Sequence, residues 1–283
     1  MKVFKKIKSG IKSLFSLLRL GWAWNLLRPA QIRFSKIVFR KGLKRKIGDI
    51  DRIYLCHDCW DAGMPASWEI DWWKKLTQQI RPGDTIVDVG AYVGIFTIIL
   101  AKKTGVTGRV LAFEPNPNSA DLFKKNIKLN GVSGQVEFFN LAAGRDSQPL
   151  LLADKDSISR IIPAAAMRSG DCLSVKSISL DEMFANRKID LIKIDVEGYE
   201  ADVLYGAGRL LKKTQGSPRF ILIECHPPLW KELGVGGKEI ADFLQDCGYA
   251  IEMPRLPEGQ DLDSLKHHWV IFAAKKFTPS TYP

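Results

Sequence analysis

Acid is nearly absent from the first fifty residues of this 283-residue chain, where fourteen Lys or Arg stand against Asp49 alone. That segment carries +13, and because the whole chain carries +11, the remaining 233 residues carry −2. The basic character belongs to an N-terminal extension and says nothing about a pocket in the body of the chain. Long uninterrupted apolar runs are also missing: Lys12 and Arg19 cut those of residues 1–28, and Gly10 and Gly21 weaken a helix there, which disfavours a bilayer span. Cysteine is scarce and odd in number, with Cys56, Cys59, Cys172, Cys225 and Cys247, which argues for reduced thiols and a cytoplasmic setting. Cys56 and Cys59 form one CHDC, and no second CxxC or HxxxH follows to complete four zinc ligands. Ordinary thiols are expected there.

Glycine is short at one telling place. The stretch Thr85 to Pro115 reads TIVDVGAYVGIFTIILAKKTGVTGRVLAFEP, an apolar strand, a glycine turn, an evenly apolar helix and a second strand ending in Glu114. A dinucleotide turn needs GxGxxG, with its second glycine beside the pyrophosphate, whereas GAYVG places Tyr92 there. A nicotinamide cofactor is disfavoured. Gly90 and Gly94 still permit a tight turn and a close ligand approach, and the following helix aims its first amides at the same spot. Glu114, twenty positions after Gly94, is placed to accept the hydroxyls of a ribose. An adenosyl ligand without phosphates fits this pattern, and S-adenosylmethionine is the expected cofactor, with Ala91, Tyr92 and Pro115 in the same two turns.

Around this unit the chain divides into residues 1–50, a basic extension, residues 51–82, a lead-in, and residues 83–283, the main domain. Phe4, Ile7, Ile11, Leu14, Phe15, Leu18 and Trp22 share one helical face in residues 1–28, with lysines around it. Trp22, Trp24 and the cationic face suit the surface of an anionic membrane, so peripheral docking is expected. A helix packed on a partner or on its own domain, or a basic arm for nucleic acid, are the competing readings. In the lead-in, Ile50 to Cys56 reads as a strand, and a helix starts at Pro65 or Ser67 and runs to Ile80.

Beyond Glu114, Asn118 or Ser119 is expected to cap a helix ending at Gly131. Gln135 to Asn140 alternates as a third strand, and NLAAG sits at its tip. Residues 145–178 are polar and irregular, with short β-like pieces, and read as a substrate-shaping insertion beside the cleft. A short helix follows from Ser179 or Leu180 through Ala185. Ile189 to Ile194 is a buried strand, with Asp195, Glu197 and Glu200 after its C-terminal end, and Phe220 to Glu224 delivers Glu224 and His226 to the same edge. Tyr249 to Met253 and His268 to Ala273 complete seven strands. No helix joins the last two, which predicts an antiparallel end.

DVGAYVGIFT, FEPNP, NIKLNG, SISLDEMF to DLIKIDVEGYE, and IECHP occur in order over Thr85 to Pro227. Together they resemble the FkbM-type methyltransferases, within the class I S-adenosylmethionine-dependent enzymes. The resemblance implies a Rossmann-like α/β fold, a seven-stranded mostly parallel sheet with the last strand antiparallel and helices on both faces. It implies methyl transfer to a hydroxyl, often on a sugar, polyketide or other secondary metabolite. By position it assigns Asp88, Gly90 and Gly94 to the methionine part, Glu114 to the ribose, and Asn140 with Ala142 to the adenine. Asp195 and Glu197 face the acceptor.

A hydroxyl acceptor loses a proton, so Asp195 or His226 is expected as general base, with Glu197 and Glu224 orienting. Asp195, Glu224 and His226 offer an alternative divalent-ion set, although no metal is assigned. The acceptor is expected to be a small molecule or glycan. An RNA methyltransferase using the basic arm, or a cofactor-binding scaffold, stand as alternatives; the polar-Pro-Pro-aromatic motif of base-modifying enzymes is missing, its place held by DVEG.

Overall fold

A computed structural model of the chain describes residues 40–59, 62, 65, 67–155, 158–162, 172–253, 262–264 and 268–276. The amphipathic helix expected over residues 1–28 lies outside them, as does Trp60. No helix among the described residues is long and apolar enough to cross a membrane.

The described chain opens with a hairpin, β1 (Leu43–Ile47) and β2 (Asp51–Leu55), paired antiparallel with Leu43 opposite Leu55. It crosses residue 50, so the extension and the lead-in drawn apart in the sequence share one element. Alternation drives the pairing: Ile47, Ile53 and Leu55 point inward and are buried. The helix α1 (Ser67–Gln78) follows. It buries Trp73 and Leu76, and Trp73 packs on Phe96, so this tryptophan belongs to the core.

The central unit is β3 (Thr85–Val89), α2 (Ile95–Thr104), β4 (Arg109–Phe113), α3 (Pro117–Leu129) and β5 (Val136–Phe139). Ile98, Ile99, Leu100 and Ala101 of α2 are all buried, which explains a helix apolar all round. The cap of α3 is Asn116 rather than Asn118 or Ser119: its side chain accepts from the Asn118 amide at 2.9 Å, and Pro117 stands at the first helical position. Asn126 and Asn130 of α3 fasten the hairpin. The Asn126 side-chain carbonyl accepts the Cys56 amide at 2.7 Å, and that of Asn130 accepts the Tyr54 amide at 2.9 Å.

NLAAG does more than cap β5. Ala142–Gly144 forms β6, which pairs in parallel with β10 (Ser177–Ser179). The segment between them carries a three-stranded antiparallel sheet, β7 (Leu150–Lys155), β8 (Ile158–Ile162) and β9 (Cys172–Val175), in which the short β-like pieces of the sequence are paired. Leu152, Ile161 and Val175 bury its inner face. A capping box at Ser179 and Glu182 starts α4 (Leu180–Phe184), in agreement with the sequence.

The remaining elements are β11 (Leu191–Ile194), α5 (Glu200–Tyr205), α6 (Gly208–Lys212), β12 (Phe220–Cys225), α7 (Pro227–Leu233), α8 (Gly237–Asp246), β13 (Tyr249–Glu252) and β14 (Trp269–Lys275). The main sheet has the order β13-β14-β12-β11-β3-β4-β5, with only β14 antiparallel to its neighbours. The seven strands expected from the sequence are these seven. Val87, Val89, Ile192 and Ile194 pack on one face, and Ile86, Val110, Leu191 and Leu222 on the other. Both faces are covered by helices. Chain order reverses between β3 and β11, and in open α/β sheets that switch point opens a crevice at the carboxyl ends of the strands.

Candidate active site

A cavity of about 410 Å³ occupies that crevice, within the usual size for cofactor and ligand sites. Gly90, Ala91 and Tyr92 after β3, Glu114 and Pro115 after β4, and Asp195 and Glu197 after β11 all line it, with Ala142 alongside. Glu69 and Trp73 of α1 close one side, and Leu152, Ser159 and Ile161 of the small sheet close another. The insertion read from polar composition thus supplies a wall.

Four sequence candidates stand behind the wall. Asp88 is fully buried; it accepts from Thr97 Oγ1 at 2.5 Å and lies 3.4 Å from Lys193 Nζ. Gly94 starts α2, and a Cβ there would meet the Phe123 ring at 3.0 Å, so this glycine serves packing rather than a ligand. Asn140 donates to the backbone carbonyls of Glu114 at 2.7 Å and Pro115 at 3.1 Å, bracing the turn that carries the acid instead of meeting an adenine. His226 is buried at the start of α7.

The glycine turn is organised differently from a phosphate loop. Gly90 has φ 77°, and a Cβ on it would lie 1.7 Å from the Asp195 carbonyl oxygen, so the close approach is between two strand ends of the protein itself. The Gly90 and Ala91 amides both donate to Phe113 O, at 3.1 and 2.9 Å, and the Tyr92 amide to Glu114 Oε2 at 2.9 Å. Amides spent on β4 are not offered to a pyrophosphate. Among the described residues, Tyr92 and Glu197 are the non-glycine residues with positive φ, at 48° and 51°, and both line the cavity. Such backbone costs of order 1–3 kcal/mol and persists where the surroundings enforce it.

Three charged groups set the electrostatics. Glu114 is buried, and burial pushes its carboxyl up to about 7, against the pull of the Asn116 and Tyr92 amides and of Lys193. Lys193, which the sequence reading passed over, is a buried lysine in the apolar run IDLIKID. Its ammonium donates to Gly90 O at 2.9 Å, lies 3.2 Å from Asp195 and sits over the Phe96 ring. Burial alone would lower its pKa, but Asp195, Asp88 and Glu224 outweigh it and hold it up to about 12. A lone lysine between isoleucines was the signal for it.

His226 differs most from expectation. Its Nδ1 is 2.7 Å from Glu200 Oε1, and Glu200, itself fully buried, also accepts from Trp230 Nε1 at 2.5 Å and the Gly198 amide at 3.0 Å. Nε2 faces Glu197 Oε2 at 3.3 Å. Burial would lower the imidazole pKa, yet the Glu200 hydrogen bond and charge, with Asp195 and Glu197, raise it to about 10. With Nδ1 held by Glu200 and the ring outside the cavity lining, His226 is not placed to take a proton from a substrate, and Asp195 and Glu197 are the carboxylates that line the cavity.

Comparison with known proteins agrees with this geometry. The Methyltransferase FkbM domain model matches residues 88–251. The hexuronic acid methyltransferase AglP of Haloferax volcanii is 24% identical over 255 residues, covering 84% of this chain and 91% of that protein. Methyltransferase 1 of Beauveria bassiana is 32% identical over 149 residues, 44% of this chain and 59% of its own length. A Streptococcus mutans protein described as a putative methyltransferase in complex with SAH superposes with a TM-score of 0.46 at 10% identity, covering 75% of this chain and all of that one. The residues present fit an adenosyl donor: a buried carboxylate, Glu114, able to accept from ribose hydroxyls, turn amides spent within the protein, and the carboxylates Asp195 and Glu197, whose charge suits a sulfonium. The chain belongs to the FkbM methyltransferase domain family and is an S-adenosylmethionine-dependent methyltransferase.

Proposed function

We propose that the enzyme methylates a hydroxyl oxygen of a sugar, or of a similarly polyhydroxylated small acceptor. The observation that supports this is the set of three carboxylates, Asp195, Glu197 and Glu224, that line the cavity. Carboxylates accept hydrogen bonds in pairs from vicinal hydroxyls, and one of them can take the proton that an alcohol loses. The relation to a hexuronic acid methyltransferase, nearly all of whose length is matched, points the same way.

The bound donor supplies an electrophilic methyl group on a sulfonium, and the protein's part is to hold an oxygen nucleophile close and in line with it. Glu114 holds the ribose hydroxyls. Lys193 ties Asp195 to the switch point and so fixes the direction in which that carboxylate receives the acceptor. Glu197, whose carboxyl burial pushes upward despite the opposing pull of His226, accepts the acceptor's proton. His226, held by Glu200 through Nδ1, faces Glu197 through Nε2 at 3.3 Å.

The test is transfer of labelled methyl from S-adenosylmethionine to a panel of neutral and acidic sugars, with lipid and RNA fractions alongside. Label in a sugar hydroxyl, with Glu197→Gln and Asp195→Asn each lowering turnover by roughly 100-fold at unchanged S-adenosylhomocysteine affinity, is the expected result. Label only in RNA overturns the acceptor class.

A further inference from the structure

We propose that the mouth of the cavity is a binding site for a first-row divalent transition-metal ion, held by His226 Nε2 with Asp195 and Glu197. The ligand atoms of these three residues lie within 4.8 Å of one another, and Glu224, His226 and His268 form a second group within the same limit. Clusters of acid at a protein surface are common without an ion. The distinguishing feature is His226: it is fully buried, and its Nε2 lacks a hydrogen-bond partner. The Glu197 oxygen 3.3 Å away is within ion-pair reach but not aligned to accept.

The other ring nitrogen explains the arrangement. Nδ1 is committed to Glu200, which is in turn held by Trp230 and the Gly198 amide. A histidine that binds a metal through one nitrogen almost always gives the other to a carboxylate or carbonyl, which fixes its tautomer and aim. Here the aim is toward the acid cluster. Glu197 reaches it from a left-handed backbone, φ 51°, a conformation that costs energy and recurs at ligand sites. On the far side the His226 and His268 rings meet edge to face at 4.3 Å, with His268 Nδ1 3.7 Å from Glu224.

Imidazole and carboxylate together suit manganese, iron, cobalt or zinc better than the all-oxygen shells of magnesium and calcium. Asp195 and Glu197 line the cavity, so coordination positions left open by the protein face the acceptor. That an acceptor hydroxyl fills them rests on the proposed function; the binding of the ion does not.

The experiment uses the full chain stripped of metal by chelator and titrated with Mn²⁺, followed by electron paramagnetic resonance and calorimetry, with S-adenosylhomocysteine binding measured on the same samples. One equivalent should bind, and Glu197→Gln and Asp195→Asn should each weaken it at least tenfold while S-adenosylhomocysteine affinity stays as in the wild type and the unfolding midpoint of Glu197→Gln is unchanged. His268→Ala, an exposed position, should weaken it less. No binding of Mn²⁺, Co²⁺ or Zn²⁺ by protein that still binds S-adenosylhomocysteine overturns the site and leaves the transferase reading standing. Binding indifferent to Glu197 and Asp195 overturns it as well. Metal binding that follows the variants, in a protein that methylates no hydroxyl acceptor, keeps the ion and removes the proposed acceptor class.

Discussion

Glu114 gives the sharpest test of how the donor is held. Its carboxyl is pushed up to about 7 by burial, so near neutrality about half of the molecules carry a proton where ribose hydroxyls need an acceptor. Two charges bear on it, Lys193 favouring the carboxylate and Asp195 opposing it. If the ribose hydrogen bonds return the group to its ordinary value near 4.5, the donor-bound state favours the ionised form by up to about 3 kcal/mol. Affinity is then fully present above pH 7 and falls as pH drops, by about 20-fold between pH 7.5 and 5.5 for a single group with these values. Stability runs the other way. A carboxyl raised in the folded state stabilises fully below its unfolded pKa, and that contribution is lost as pH rises through about 7, again up to about 3 kcal/mol. Calorimetry with S-adenosylhomocysteine from pH 5.5 to 8.5, beside urea unfolding of the free protein, reads both slopes. Glu114→Gln should flatten both and bind more weakly at pH 8. A wild-type affinity independent of pH, or a Gln variant with the wild-type slope, refutes the assignment.

Gly90→Ala places a Cβ 1.7 Å from the Asp195 carbonyl in a residue with φ 77°, and should cost at least about 2 kcal/mol in urea unfolding; wild-type stability would show that the two strand ends can separate freely. Arg219 lies 2.8 Å from Asp84 and 2.6 Å from Asp190 at the base of β3 and β11, so Arg219→Leu leaves the buried Asp84 without its cation and Asp190 with Lys188 alone, and should lose roughly 3 kcal/mol, read from the denaturant midpoint. The Cys56 thiol is lowered to about 6 by its hydrogen bond with Cys59, 3.3 Å away. At pH 7 iodoacetamide should label Cys56 well before the buried Cys225 and Cys247, and Cys59→Ala should slow that labelling; equal rates in mass spectra would contradict it.

The sheet was legible because each strand is a short apolar run that stops at an acid or a glycine, and because the missing helix before Trp269 permits only an antiparallel return. The level of each site residue along its strand could be read the same way. Which of them reach the cavity could not. Asp88 lies in the strand that leads to the turn, but its carboxylate is consumed by Thr97 and Lys193 one layer below. Asn140 follows β5 as expected, yet two backbone carbonyls use its amide. Sequence distance carries no record of such partners. The small sheet was legible only as short β-like pieces and not as a paired sheet, because Leu150, Leu152, Ile161 and Val175 alternate only in pieces, with polar stretches between, too short for a periodic signal.

The residue that was passed over joins these observations. β3 and β11 are paired with Lys193 opposite Asp88, and beyond them the two chains must diverge to opposite faces of the sheet. The divergence forces Gly90 against the Asp195 carbonyl, and Lys193 spans the same gap from the other side by donating to Gly90 O. A buried ammonium is tolerable only with charge around it, which Asp88 and Asp195 provide. One of these two acids is therefore spent on the scaffold, and the other, half-paired at the mouth, keeps a free side for chemistry. The charge pattern IKID, a cation one residue in from an acid at the end of an apolar strand, is the sequence form of that division. It explains why a transferase site with a net acidic mouth can sit over a core strand that contains a lysine.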